Sequence, residues 1–84
     1  MAKIIEIRTQ HCPRCATFEP KFQEIQKNYP NYEYKILIFG QDPEAQEIAT
    51  KYSIKSAPTF VIEQEEKEAL IVKQEELEET IKAL

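Results

Sequence analysis

A short apolar run that leads directly into a helical stripe constrains this chain more than any other feature. Ile4, Ile5 and Ile7 lie between Lys3 and Arg8, a length suited to one strand, and they occupy both of its faces. Such a pattern is typical of a central strand covered on both sides. Apolar residues then recur in alternating steps of three and four, the spacing of one helix face: Cys15, Phe18, Phe22, Ile25 and Tyr29. The sequence therefore predicts a buried strand followed by an amphipathic helix.

The rest of the chain continues the alternation of strand and helix patterns. Asp42 and Pro43 predict a helix start, since the acid can cap free N–H groups and a proline there loses no hydrogen bond. Leu77, Ile81 and Leu84 predict the inward face of a last helix. The further predicted elements are a strand over 32–39, a helix from 42, strands over 59–63 and 68–72 and a helix over 75–84.

This order of elements predicts an α/β fold. The pattern is β-α-β-α-β-β-α, a four-stranded mixed sheet flanked by three helices. A crossover helix makes the first two strands parallel, whereas the short turn over 64–67 makes the last two an antiparallel hairpin. At 84 residues the chain has room for one domain over 1–84, with one modest core.

The charge distribution excludes some classes of partner. The net charge is −4, and residues 1–41 carry six Lys or Arg against four acids, while the remainder carries five against eleven. Because a nucleic-acid site needs a basic face, we expect no nucleic-acid partner. No apolar run is long enough for a signal peptide or a membrane span, so we expect a location in the cytoplasm and no membrane partner. We also expect a monomer.

Cys12-Pro13-Arg14-Cys15 contains the only two cysteines and lies at the predicted helix start. Cys15 is in register with the core-facing residues, whereas Cys12 lies where backbone N–H groups are unpaired. The register thus predicts an exposed, attacking Cys12 and a shielded, resolving Cys15. In a reducing compartment such a pair indicates redox chemistry. A metal site and a binding module without turnover stay open as alternatives, although tetrahedral zinc needs four ligands and only His11 is adjacent. We expect no metal and no cofactor.

Two polar neighbours of the pair have two interpretations each. Arg14 could lower the pKa of Cys12 together with the helix N-terminus, or it could be an exposed residue whose charge is screened. His11, the only histidine, could act in acid-base chemistry or could be a solvated loop residue.

The chain resembles the thioredoxin-like superfamily, in the short form of the glutaredoxins. The resemblance is carried by the Cys12–Cys15 motif after a first strand, by Pro20 five residues beyond Cys15, and by Ala57-Pro58-Thr59 before the third strand. It implies a cis bond before Pro58, which would lie against the cysteine pair. It also implies that Ala57 pairs with an extended substrate segment.

The resemblance further implies a role for Glu6, which lies six residues before Cys12. Thioredoxins keep a buried acid there that helps deprotonate the second cysteine. The alternative is a strand glutamate whose carboxylate reaches solvent. The chain departs from thioredoxins in having His11 where they carry a tryptophan. It also lacks the glycine pair that helps glutaredoxins hold glutathione, because Gly40 is its only glycine.

Together these features predict a small thiol-disulfide oxidoreductase that acts on disulfide-containing proteins. Its electrons would come from a reductase or from a low-molecular-weight thiol. The expected catalytic residues are Cys12, Cys15 and Glu6, and the expected substrate-binding residues are His11, Pro13, Arg14, Ala57 and Pro58.

Overall fold

The computed structural model describes residues 2–84, which form four strands and three α-helices. In chain order the elements are β1 (Lys3–Thr9), α1 (Pro13–Asn28), β2 (Glu33–Phe39), α2 (Pro43–Lys51), β3 (Thr59–Gln64), β4 (Lys67–Lys73), a 3-10 turn (Gln74–Glu76) and α3 (Leu77–Lys82). The predicted order of elements is confirmed. No helix in this described part is long and apolar enough to cross a membrane.

The strands form one mixed sheet in the order β2-β1-β3-β4. β1 pairs in parallel with β2 and antiparallel with β3, so that Glu6 faces Ile36 on one side and Phe60 on the other. β3 and β4 form the antiparallel hairpin. The predicted central position of the first strand and the parallel first pair are therefore confirmed.

Successive residues of β1 point to opposite faces of the sheet and enter different apolar clusters. Ile4 packs on one face with Phe22 and Ile25 of α1, and with side chains of α3. Ile5 packs on the other face with Ile48 of α2. Burying each such side chain stabilises the fold by about 1.5–3 kcal/mol. The sheet is thus covered on both faces, and its central strand leads straight into the cysteine motif.

Two local predictions were wrong. Asp42 is the N-cap residue of α2, but its carboxylate accepts a hydrogen bond from the Ile38 N–H at 2.8 Å and caps no helical N–H group. Leu84 does not face inward and is 39% exposed. The physical reason is that α3 ends at Lys82, so the helical spacing that buries Leu77 and Ile81 does not extend to the last residue.

Candidate active site

Cys12 and Cys15 form a disulfide at the N-terminus of α1, with an S–S distance of 2.13 Å and a Cα–Cα distance of 5.2 Å. Cys15 is only 2% exposed and belongs to the buried face of the helix, whereas Cys12 is partly exposed. The predicted difference between the two sulfurs is confirmed: an attacker from outside can reach Cys12, and the fold shields Cys15.

The backbone of α1 supplies a donor to Cys12. Cys12 is the N-cap residue, and its Sγ accepts a hydrogen bond from the Cys15 N–H at 3.1 Å. The first N–H groups of a helix have no partner within the helix and carry partial positive charge. A negative charge on Cys12 Sγ after reduction would therefore be stabilised by the same backbone groups.

The loop before β3 carries the second predicted part of the site. The Ala57-Pro58 peptide bond is cis, as the resemblance implied. The Thr59 hydroxyl donates a hydrogen bond of 2.7 Å to the Ser56 carbonyl and holds the loop. Within residues 2–84 no hydrogen bond involves the N–H or carbonyl of Ala57, which is half-buried. These groups are free to pair with an extended chain.

Cys12 and Ala57 line one groove of about 370 Å³. His11, Pro13 and Arg14 line it too, so the structure brings together four of the five predicted substrate-binding residues. Pro58, the fifth, is buried and does not line the groove.

Sequence reasoning missed part of the groove. Phe39, Ile54 and Lys55 line it, and the first of these is 43% exposed despite its size. A signal for Phe39 was present, because it ends β2 and the carboxyl ends of parallel strands meet at one edge of a sheet. Ile54 and Lys55 lie just before the Ala57-Pro58 loop, but nothing in their own spacing marked them.

Glu6 is buried, with only 1% of its side chain exposed, so the solvent-exposed alternative is wrong. Arg8 Nη2 lies 2.6 Å from Glu6 Oε1 and 2.5 Å from Glu19 Oε2. Since Glu6 and Arg8 are two apart on one strand, both point to the face that α1 covers. One guanidinium thus joins a buried carboxylate of β1 to a partly exposed carboxylate of α1.

The protonation of Glu6 depends on this network. Burial raises the pKa of Glu6, and the hydrogen bond and charge of Arg8 only partly offset that effect. The negative charge of Glu19 raises the pKa of Glu6 further. Burial alone would lower the pKa of Arg8, but its hydrogen bonds to both carboxylates raise it instead, so that it stays a cation.

A second cavity of about 260 Å³ lies on the other side of the disulfide and is lined by Arg8, Cys12 and Cys15. Arg8 therefore hydrogen-bonds to Glu6 and also lines the cavity beside the sulfurs, and its Nε is buried without a hydrogen-bond partner among the described residues. Sequence reasoning did not single out Arg8, although its position two residues after Glu6 on the same strand was a usable signal.

The described residues 2–84 contain no group of three or more His, Cys, Asp and Glu side chains that could hold a metal ion. His11 is exposed beside Cys12 and forms no such cluster with it. The arrangement is suited to thiol and disulfide chemistry between this chain and a molecule that enters the groove.

Comparisons with known proteins agree with this interpretation of the site. A family model described as Thioredoxin matches residues 2–84. The thioredoxin of Fasciola hepatica is 29% identical, with a TM-score of 0.81 over 98% of this chain and 79% of that one. A chain from the complex of ferredoxin:thioredoxin reductase with thioredoxin f2 is 27% identical, with a TM-score of 0.81 over 98% of this chain and 76% of that one.

A more distant relative shows the fold. The thioredoxin of Trypanosoma brucei brucei is 19% identical, with a TM-score of 0.84 over 99% of this chain and 74% of that one. The comparison with curated proteins found no match.

Proposed function

This chain belongs to the thioredoxin family and is a thiol-disulfide oxidoreductase, and on that premise we propose that it reduces protein disulfides, with Cys12 attacking and Cys15 resolving. One observation carries the proposal. The half-buried N-cap sulfur of Cys12 lies in the same groove as the unpaired backbone of Ala57, while its disulfide partner Cys15 is 2% exposed. A protein segment can therefore dock beside one sulfur only.

The proposed reaction transfers two electrons from the reduced pair to the substrate. The Cys12 thiolate attacks one sulfur of the substrate disulfide, forms a Cys12–substrate disulfide and releases the other substrate sulfur as a thiolate. Cys15, deprotonated, then attacks Cys12 Sγ. This second exchange forms the Cys12–Cys15 disulfide and releases the first substrate sulfur, which takes up a proton.

Glu6 is the proposed acceptor of the Cys15 proton. Its burial raises its pKa, which brings a carboxylate closer to the range needed in a general base at neutral pH. The cavity lined by Arg8 and Cys15 can hold water beside the sulfur, and Arg8, which hydrogen-bonds to Glu6, connects this cavity to the carboxylate. The hydrogen bond and charge of Arg8 lower the pKa of Glu6 and so oppose the effect of burial.

Trapping the intermediate tests this order of events. With reduced Cys15→Ser and a disulfide protein such as insulin, we expect a stable mixed disulfide on Cys12, detected by mass spectrometry. Cys12→Ser, the matched variant, should form none and reduce no insulin. A trapped adduct on Cys15, or full turnover by Cys12→Ser, would show that the roles are wrongly assigned.

The proposed partners are disulfide-containing proteins and a donor that restores the dithiol, either a reductase or a low-molecular-weight thiol. Support for a reductase comes from the similar chain in the complex of ferredoxin:thioredoxin reductase with thioredoxin f2. We propose a monomer in the cytoplasm, where such donors keep thiols reduced. Supplying purified flavoprotein reductase, ferredoxin-dependent reductase and glutathione side by side, and following loss of the disulfide, identifies the donor.

A further inference from the structure

The groove beside Cys12 carries a charge opposite to that of the chain. The chain has 15 acids and a net charge of −4. The charged residues that line the groove within the described part are Arg14 and Lys55, both cations, and none of its lining residues is an Asp or Glu. An acidic protein therefore presents a locally basic entrance to its reactive sulfur.

Both cations are available to a ligand. Arg14 is 61% exposed, and its Nη2 lies 3.5 Å from Oε1 of Glu75, which is 59% exposed. An exposed pair of this kind contributes little and exchanges readily. Lys55 is exposed and forms no salt bridge within residues 2–84. Neither side chain has to break a strong contact to meet an anion.

The two cations come from different elements that line the groove. Arg14 follows Cys12 by two residues on α1, and Lys55 precedes Ala57 by two residues on the loop. An extended segment that pairs with the Ala57 backbone while its sulfur meets Cys12 lies in the groove that both cations line. The apolar wall at Phe39 and Ile54 lies in the same groove and can receive an uncharged side chain.

We propose that the preferred substrates are disulfides in acidic, extended protein segments, whose carboxylates flank the reactive cysteine and meet Arg14 and Lys55. This inference rests on the proposed disulfide reductase function and adds the substrate class. The segment would add as a β-strand along the backbone of Ala57, and its carboxylates would complement the positive charges of Arg14 and Lys55. Basic segments are disfavoured by the same cations.

The test uses three peptides, each closed by one disulfide and identical except for the residues that flank one cysteine: Glu, Gln or Lys. The second-order rate constant for reduction by the reduced protein is measured by stopped flow. At low ionic strength we expect the Glu peptide to react about tenfold faster than the Lys peptide, with Gln between them. In about 0.5 M salt the difference should largely disappear, because exposed charges are screened.

Charge reversal in the groove sharpens the test. Arg14→Glu and Lys55→Glu should each reverse or abolish the preference for the Glu peptide. Lys67→Glu, which changes the net charge equally at the exposed start of β4 and outside the groove, should keep it. The quantity compared is the ratio of rate constants, so a general effect of Arg14 on Cys12 reactivity cancels.

The outcomes separate the two proposals. If no peptide is reduced, the proposed function fails. If all three are reduced at equal, salt-independent rates, the reductase function stands and the substrate class is overturned. Glutathione disulfide serves as the small anionic alternative. If it reacts faster than every peptide, and the two groove variants slow it alone, the groove binds a small thiol compound, and the acidic-segment proposal is wrong.

Discussion

A cation lies near the Cys12–Cys15 disulfide on each of its two sides, and the two cations differ in how far they are exposed to water. On the open side, Arg14 is 61% exposed and its ion pair with Glu75 is long and solvated. On the closed side, Arg8 is 19% exposed and lies between two carboxylates at 2.6 and 2.5 Å. Charge acts weakly in water and strongly where water is excluded. We therefore expect the closed side to control proton transfer and stability, and the open side to control which substrate docks.

The largest expected difference concerns the free energy of unfolding. Arg8→Leu leaves the buried Glu6 without its partner, which costs about 3–5 kcal/mol when the carboxyl is ionised. Arg14→Leu, the matched variant on the open side, should cost less than about 1 kcal/mol. Urea denaturation of the oxidised proteins at pH 8 measures both. Equal losses would show that the two arginines do not differ as their exposure indicates.

The effect of Arg8→Leu should also depend on pH. The pKa of Glu6 in the folded protein is raised above its ordinary value, so the folded state holds this proton more tightly than the unfolded state. The stability linked to Glu6 is present below its ordinary pKa and is lost as the pH rises through the raised value. Removing Arg8 takes away an interaction that lowers that pKa, so the variant should lose more stability than the parent as the pH rises above the ordinary value of 4.5.

Glu6→Gln should slow the resolving step and leave the attacking step unchanged. A positioned general base contributes about a hundredfold or more, so release of substrate from the mixed disulfide should slow by about that factor. Rapid-mixing measurements of formation and decay of the mixed disulfide separate the steps. With an uncharged disulfide substrate, Glu75→Gln, on the open side, is the control and should change neither. If formation and decay slow together, Glu6 acts on Cys12 or on the fold.

Glu19→Gln should change the pKa of Glu6 by less than Arg8→Leu does, and in the opposite direction. The charge of Glu19 raises the pKa of Glu6, so its removal lowers that pKa. The pH midpoint of the resolving step should therefore move down by less than about one unit, worth at most about 1.4 kcal/mol. Glu24→Gln removes an equal charge from the exposed side of α1 and should leave the midpoint in place. An upward shift for Glu19→Gln would contradict the network.

The smallest effect is expected for Arg14→Gln with an uncharged disulfide reagent. Because Arg14 is exposed and screened, the rate of attack by Cys12 should fall less than about threefold, and salt should remove the difference. This outcome would favour the screened interpretation of Arg14 over a strong effect on the Cys12 thiolate. A tenfold loss that persists in about 0.5 M salt would favour the latter.

Local periodicity predicted the parts of the site that one element determines. The helical register separated Cys15 from Cys12 because a period of 3.6 residues fixes which positions face the sheet. The same reasoning failed at Leu84, where the helix had already ended. The cis bond before Pro58 came from the resemblance, since spacing alone does not distinguish a cis from a trans proline.

The parts of the site that the sequence did not predict depend on contacts between distant segments of the chain. The charged environment of buried Glu6 consists of Arg8, two residues along the same strand, and Glu19, which α1 brings to the same place from 13 residues away. The groove joins Phe39 from β2 and Lys55 from the loop before β3, and no pattern within either segment relates them. Strand position predicted the face of each side chain, but the partners that complete its environment follow only from the tertiary fold.

The short distance between the paired cysteines also affects how long a substrate stays bound. Their Cα atoms are 5.2 Å apart on one rigid helix start, so Cys15 meets the mixed disulfide at an effective concentration far above that of any free thiol. Since Cys15 is buried, the only disulfide it can attack is one that contains Cys12. Under the roles proposed for Cys12 and Cys15, we therefore expect the residence time of a captured protein to be set inside this molecule and not by the thiol concentration around it.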